Sequence, residues 1–109
     1  MDSELRKQVV DTGLLLLEKK LVARTWGNVS ARVDDTHFLI TPSGLSYTKT
    51  TPEDLALYDM DTGEYEGEFK PSSEKGIHAA AYDIFPEVNF VIHTHQSYVS
   101  AIEHHLPHL

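Results

Sequence analysis

Asn89-Phe90-Val91-Ile92-His93-Thr94-His95 reads as a β-strand that carries an apolar run to its end and finishes on two histidines one residue apart. Side chains alternate faces along a strand, so His93 and His95 project to one side and Thr94 to the other, and both imidazoles can reach one divalent ion. Immediately upstream, Ser73 to Phe85 has helical spacing. Ile77, Ala80, Ala81 and Ile84 share one face, serines are available for capping, Glu74 stands in the first turn and Pro86 closes the helix. A helix that leads straight into an apolar strand ending in polar residues delivers side chains to a sheet edge, where ligands bind in α/β folds. The histidine pair is weak by itself, because a chain with seven histidines in 109 residues often places two of them at this spacing.

Farther from this stretch, the spacing of Leu5, Val9, Leu14, Leu16, Leu17 and Leu21 predicts an amphipathic helix over 3–21, with Ser3 as a cap. Gly27-Asn28-Val29-Ser30-Ala31-Arg32-Val33 alternates, Asp34-Asp35 makes a turn, and His37-Phe38-Leu39-Ile40-Thr41 supplies the second strand of a hairpin. Pro42-Ser43-Gly44 breaks that strand. Thr51-Pro52-Glu53-Asp54 reads as a helical turn, Leu55 to Tyr58 as a third strand, and a short strand around Glu64 to Glu66 pairs with it across Asp61-Thr62-Gly63. Nothing marks a linker or an internal repeat, so residues 1–109 are expected to form a single domain. The tail 103–109, Glu103-His104-His105-Leu106-Pro107-His108-Leu109, has no continuing periodicity and is not expected to join the core.

Seventeen acidic against nine basic residues give a formal charge of −8, a field that repels nucleic acid and anionic membranes, and no basic cluster offsets it. No stretch approaches the roughly 20 apolar residues of a membrane span, and the acidic Met1-Asp2-Ser3-Glu4 is no secretory signal. The expectation is a cytoplasmic protein without nucleic-acid or membrane partners. Cysteine is absent, so a metal has to be held by His, Asp, Glu or water.

Two constellations carry chemistry. Glu74 at a helix start gains about 0.3–1 kcal/mol from the helix dipole, which explains it without function; beside His93 and His95 it becomes a metal ligand or a general base. Asn28, Ser43, Gly44, Ser72 and Ser73 are each ordinary turn or cap residues. Together they supply the amide, hydroxyl and backbone N–H groups by which an acidic protein holds a phosphorylated sugar. His37 and His78 read as surface or satisfied polar residues, and Trp26 as packing.

In their order along the chain, Gly27-Asn28-Val29-Ser30, Leu39-Ile40-Thr41-Pro42-Ser43-Gly44, Pro71-Ser72-Ser73-Glu74 and His93-Thr94-His95 closely resemble the class II aldolase/adducin family, from about residue 5 to residue 102. The resemblance implies an α/β fold of three α/β/α layers around a mixed, mostly antiparallel sheet, of which this chain is an N-terminal portion with the C-terminal part missing. It implies that His93, His95 and Glu74 bind Zn2+ or another divalent metal, that Glu74 also transfers the proton, and that Asn28, Ser43, Gly44, Ser72 and Ser73 hold the substrate phosphate. The implied reaction is lyase chemistry on a phosphorylated ketose through a metal-stabilised enediolate. Glutamate at position 74 resembles the aldolases of the family, whereas its epimerases carry aspartate there. Epimerase or dehydratase chemistry is the alternative within the family, and a non-catalytic adducin-like module the alternative outside enzymes.

The family's remaining zinc histidine and its proton-donating tyrosine would fall beyond Leu109. The 109 residues alone are therefore expected to bind metal weakly and to turn over little substrate. Full-length relatives are tetramers, which implies a homo-oligomer.

Overall fold

A computed structural model of the chain describes residues 2–19, 27–43 and 48–93. Helix α1 (Asp2–Glu18) leads to strands β1 (Asn28–Arg32) and β2 (His37–Ile40), a 3-10 turn (Pro52–Asp54), and strands β3 (Ala56–Asp59) and β4 (Tyr65–Glu66). Helix α2 (Lys75–Ile84) and strand β5 (Phe90–His93) follow. The five strands form one sheet in the order β4-β3-β2-β1-β5, and every pairing among the described residues is antiparallel. Four strands are a meander laid down in chain order, and β5 returns past all of them to pair with β1, placing Asn28 opposite His93 and Ser30 opposite Val91.

Alternation along the strands sorts the core into two layers. Val29 and Ala31 of β1, Leu39 of β2 and Leu55 pack under Val9 and Val10 of α1. Phe38, Ile40 and Ala56 face the other way and pack with Tyr82 of α2, flanked by Ala79, Val88 and Val91. The two helices thus lie on opposite faces of the sheet, the three-layer arrangement expected. Gly27 introduces β1 at φ 92, a backbone conformation that a side chain at Cβ disfavours.

The hairpin turn is built on Asp34, whose Oδ1 accepts hydrogen bonds from the Thr36 and His37 amides, both at 2.9 Å. The Thr36 amide first, and then the His37 imidazole, hold the Asp34 carboxyl down to about 2. His37 is a satisfied polar residue: Nδ1 lies 3.0 Å from Asp34 and Nε2 3.4 Å from Asp59 Oδ2. The helical turn at Thr51 is a capping box, in which the Asp54 carboxylate accepts the Thr51 N–H at 2.9 Å.

Two helix faces differ from the sequence expectation. In α1 the buried positions are Val9, Val10 and Gly13, while Leu14 is 38 % exposed. The stretch Leu14 to Leu17 is apolar on all sides, so periodicity there does not choose a face. In α2 the difference is larger: Ile77 is 47 % and Ile84 64 % exposed, and the buried residues are His78 and Tyr82. Polar groups lie inward there because each finds a partner on β1, which removes most of the penalty of burying them. Trp26, the expected continuation of α1 to Leu21 and the tail 103–109 lie outside the described residues.

Arg32, at the far end of β1, anchors the closing end of α2. Its Nη2 donates to the carbonyl oxygens of Tyr82 at 2.9 Å and Phe85 at 3.3 Å, its Nε donates to Val88 O at 2.9 Å, and its guanidinium lies 4.7 Å from the Tyr82 ring centroid. The Tyr82 carbonyl belongs to the last turn of α2, where a helix leaves its carbonyls without partners of its own, and a cation is favourable there.

The face assignment of α2 is tested by paired substitutions read as denaturant midpoints. Leu39→Ala, in the fully buried first layer, is expected to cost about 2–5 kcal/mol, whereas Ile84→Ser is expected to stay within about 0.5 kcal/mol. Comparable losses for the two would put Ile84 in the core and contradict the fold described.

Candidate active site at one end of the sheet

Strand directions bring the candidate residues together. β1 begins at Asn28, and β2 and β5, both antiparallel to it, end at Ile40 and His93, so these three chain ends share one edge of the sheet. Helix α2 runs alongside β1 in the same sense, with His78 against Asn28, Tyr82 against Ser30 and the helix C-terminus on Arg32. Its N-terminus, preceded by Glu74, therefore opens at that same edge.

The loops after β2 and before α2 are tied to each other. Pro42 and Pro71 form an antiparallel bridge, extended by Ser43 N–H to Lys70 O at 2.9 Å and Ser72 N–H to Thr41 O at 3.0 Å. Thr41 joins them to β1, its N–H donating to Val29 O at 3.1 Å and its hydroxyl accepting the Val29 N–H at 3.2 Å. A proline brings no N–H, so the ladder stops at this bridge and the serines after each proline are left at its end.

Ser72 is buried and its hydroxyl accepts the Glu74 N–H at 3.1 Å, while its carbonyl takes the Lys75 N–H at 3.1 Å. The hydroxyl keeps its own proton for donation to a ligand. Ser73 and Ser43 are exposed. Glu74 occupies the N-cap position of α2, one residue outside the first turn where the sequence placed it, and its half-buried carboxylate makes no hydrogen bond to the helix. Capping is therefore not what that carboxylate does.

Sequence reasoning left His78, Ser30 and Tyr82 out of the site, and they form its inner wall. His78 is fully buried, with Nε2 hydrogen-bonded to Asn28 Oδ1 and Nδ1 2.6 Å from Ser30 Oγ; Ser30 Oγ lies 2.7 Å from the Tyr82 hydroxyl. Phe38 stacks on the His78 ring at 6.3 Å between centroids. Burial, and after it the neighbouring His93, push the His78 imidazole down to about 4, so it is neutral near pH 7. Burial pushes the Tyr82 phenol up, opposed by its bonds to Ser30 and Val91 and by Arg32. A signal was available: Glu74, His78 and Tyr82 recur every fourth residue and so share one side of α2.

Of the expected metal ligands, Glu74 and His93 stand at the sheet edge; His95, like Gly44 of the expected phosphate set, lies outside the described residues. Among the described residues no three imidazole or carboxylate groups cluster around a metal position. What is present fits in part: a half-buried carboxylate unused by the helix and an imidazole whose Nδ1 is buried are oxygen and nitrogen donors of the kind zinc accepts.

Residues 7–108 match the family described as Class II Aldolase and Adducin N-terminal domain. The chain belongs to that family. Among its class II aldolase/adducin relatives, the Mycoplasma pneumoniae protein named probable L-ribulose-5-phosphate 4-epimerase UlaF is 37% identical over 103 residues, covering 93% of this chain and 43% of the relative. The Salmonella typhi L-ribulose-5-phosphate 4-epimerase UlaF is 38% identical over 100 residues, 90% of this chain and 43% of the relative. Among solved structures, an L-fuculose 1-phosphate aldolase superposes with a TM-score of 0.81 at 29% identity, over 91% of this chain and 47% of the other. The l-fuculose-1-phosphate aldolase of Thermus thermophilus gives 0.75 at 28%, over 97% and 53%. The chain spans about half the length of the relatives it matches.

The neutral, buried state of His78 makes stability depend on pH. An unfolded imidazole titrates near 6.5 and the folded one near 4, so the unfolded state binds more protons between those values. The His78 contribution is expected to be complete above pH 6.5 and to fall away as the pH drops toward 4, by on the order of 3 kcal/mol. Denaturant titrations in metal-free buffer across that range check this, and His78→Gln should flatten the dependence.

Proposed function

We propose that the chain carries the phosphate-holding and proton-transferring side of a class II aldolase-type active site, acting on a small phosphorylated ketose by carbon–carbon cleavage. The observation that carries the reading is convergence: Asn28, Ser43, Ser72 with Glu74, and His93 come from four separate points of the chain to one sheet edge. Structural cores do not require short polar residues to collect in this way.

Each residue has a task. The Asn28 amide, the hydroxyls of Ser43, Ser72 and Ser73, and the backbone at Gly44 hold the phosphate without a buried positive charge, which suits a chain of net charge −8. The N-terminus of α2 opens toward the same edge and favours an anion there. Glu74, unused as a helix cap, is the catalytic residue that takes a proton from the substrate and returns it. His93 and His95, with Glu74, are the residues that would hold a divalent ion such as zinc. Such an ion supplies Lewis-acid polarisation of the substrate's oxygens when bound. Substrate held by its phosphate at the serines leaves its oxygens free to reach His93 and Glu74, so binding and chemistry occupy neighbouring stretches of one edge.

A second reading within the family is sugar-phosphate epimerisation, favoured by the names of the relatives at 37–38% identity. Glutamate at position 74 favours aldol cleavage, by resemblance to the aldolases. The two reactions share the retained phosphate and the proton-transferring carboxylate, and differ in what becomes of the substrate after its bond is broken. A homo-oligomer is part of this proposal, as the family resemblance implies.

Zinc competition against a chromophoric chelator is expected to give one metal per chain. Affinity should fall about tenfold or more in His93→Ala and in Glu74→Gln. Incubation with ketose 1-phosphates is expected to release aldehyde and triose phosphate at a low rate, reduced about a hundredfold or more in Glu74→Gln. Metal binding indifferent to both substitutions would end this reading, and inversion at C4 of L-ribulose 5-phosphate without cleavage would select the epimerase.

A further inference from the structure

Asn28 has a carboxamide with an accepting end and a donating end, and only one orientation serves an anion. With Nδ2–H2 turned to the sheet edge the residue donates two protons to a phosphate; turned over, it presents a carbonyl oxygen and repels one. Asn28 is only 3 % exposed, so its orientation is decided by what it meets inside.

Inside, it meets a file of hydrogen bonds with a definite direction. Its direction is fixed at Asn28, whose Oδ1 faces His78 Nε2 and can only accept, so the file starts at the Tyr82 hydroxyl. The Tyr82 hydroxyl sends its proton to Ser30 Oγ, 2.7 Å away. Ser30 Oγ in turn passes its proton to His78 Nδ1 at 2.6 Å, which requires Nδ1 to be the bare nitrogen. A neutral imidazole then carries its proton on Nε2 and donates it to Asn28 Oδ1. Burial keeps Tyr82 protonated and His78 neutral, so each of them has one proton to pass along the file. Each side-chain bond in the file is buried and direct, which makes reversal of any one of them require reversal of all.

We infer that Tyr82, Ser30 and His78 together lock the Asn28 carboxamide with Oδ1 inward and Nδ2–H2 toward the sheet edge, which makes His78 the positioning residue for anion recognition there. The inference rests on the proposed phosphate role of Asn28. It assigns function to three residues that touch no substrate, and it explains why the inward face of α2 carries a histidine and a tyrosine while two isoleucines face solvent.

Long-range nitrogen NMR on the full chain reads the His78 tautomer, and the Asn28 side-chain amide pair reads its environment during titration with inorganic phosphate. Expected are an Nε2–H tautomer and a shift of the Asn28 pair with phosphate. His78→Gln, whose amide can reach the position of Nε2, should keep phosphate affinity within about threefold; His78→Asn, which reaches only the position of Nδ1, should lose about tenfold. Tyr82→Phe keeps the ring and removes the hydroxyl, so it should fold and yet mix the His78 tautomers, an effect that simple packing would not produce. An Nδ1–H tautomer in the wild type beside a normal phosphate response overturns this inference alone, as does His78→Asn binding phosphate like the wild type. An Nε2–H tautomer with no phosphate response overturns the anion-binding reading and the positioning role with it.

Discussion

His78 shows no surface to solvent, and both of its ring nitrogens are spent on β1, one on Asn28 and one on Ser30. That pair of bonds sets how α2 lies on the sheet. With His78 and, one turn later, Tyr82 locked to alternate residues of β1, the helix can neither slide nor rotate without stranding buried polar atoms, at about 1–3 kcal/mol for each. Its N-terminus consequently stays at the Asn28 edge, where Glu74 is needed, and its C-terminus stays on the Arg32 guanidinium. The two ends of β1 thus hold the two ends of α2, by neutral hydrogen bonds at one and by a cation at the other.

The strands and the hairpin were legible because period-two alternation and turn residues are local signals: the Asp34-Asp35 turn, the capped turn at Thr51 and the Leu55–Tyr58 strand lie within a residue or so of where the sequence puts them. The face of α2 was not legible by hydrophobicity. A helix whose inward side chains are His78 and Tyr82 reads backwards, because Ile77, Ala80 and Ile84 outscore them on any apolar scale and the partners that make burial tolerable lie about 50 residues earlier in the chain. His93 was singled out by strand alternation, Glu74 by its place at the helix start, and Asn28, Ser43 and Ser72 only as a set, with the family motifs implying their roles, since nothing in the individual chemistry of the polar residues separates them from turns and caps. The structure adds what motifs omit, that Ser72 holds the start of α2 with the same hydroxyl it would offer a ligand.

The electrostatic character of the edge follows from the same economy. The chain carries −8 overall, yet the candidate anion site recruits amides, hydroxyls and a helix N-terminus, groups whose charge is partial and fixed in direction. Such groups attract a phosphate at short range through partial charges held in fixed directions. Neutral His78 behind Asn28 fits this pattern, since an imidazolium there would add a buried cation beside His93.

The sheet order also carries a kinetic consequence. β1 pairs on one side with β2, a few residues away, and on the other with β5, which lies about sixty residues on. Three of the four pairings are local and form cheaply, whereas the β1–β5 seam requires closing a long loop and docking α2 first. The Asn28–His93 pair sits on that seam. A chain emerging from synthesis can therefore complete its meander while the edge that would bind substrate does not yet exist, so the candidate site is assembled by the closure with the longest reach along the chain.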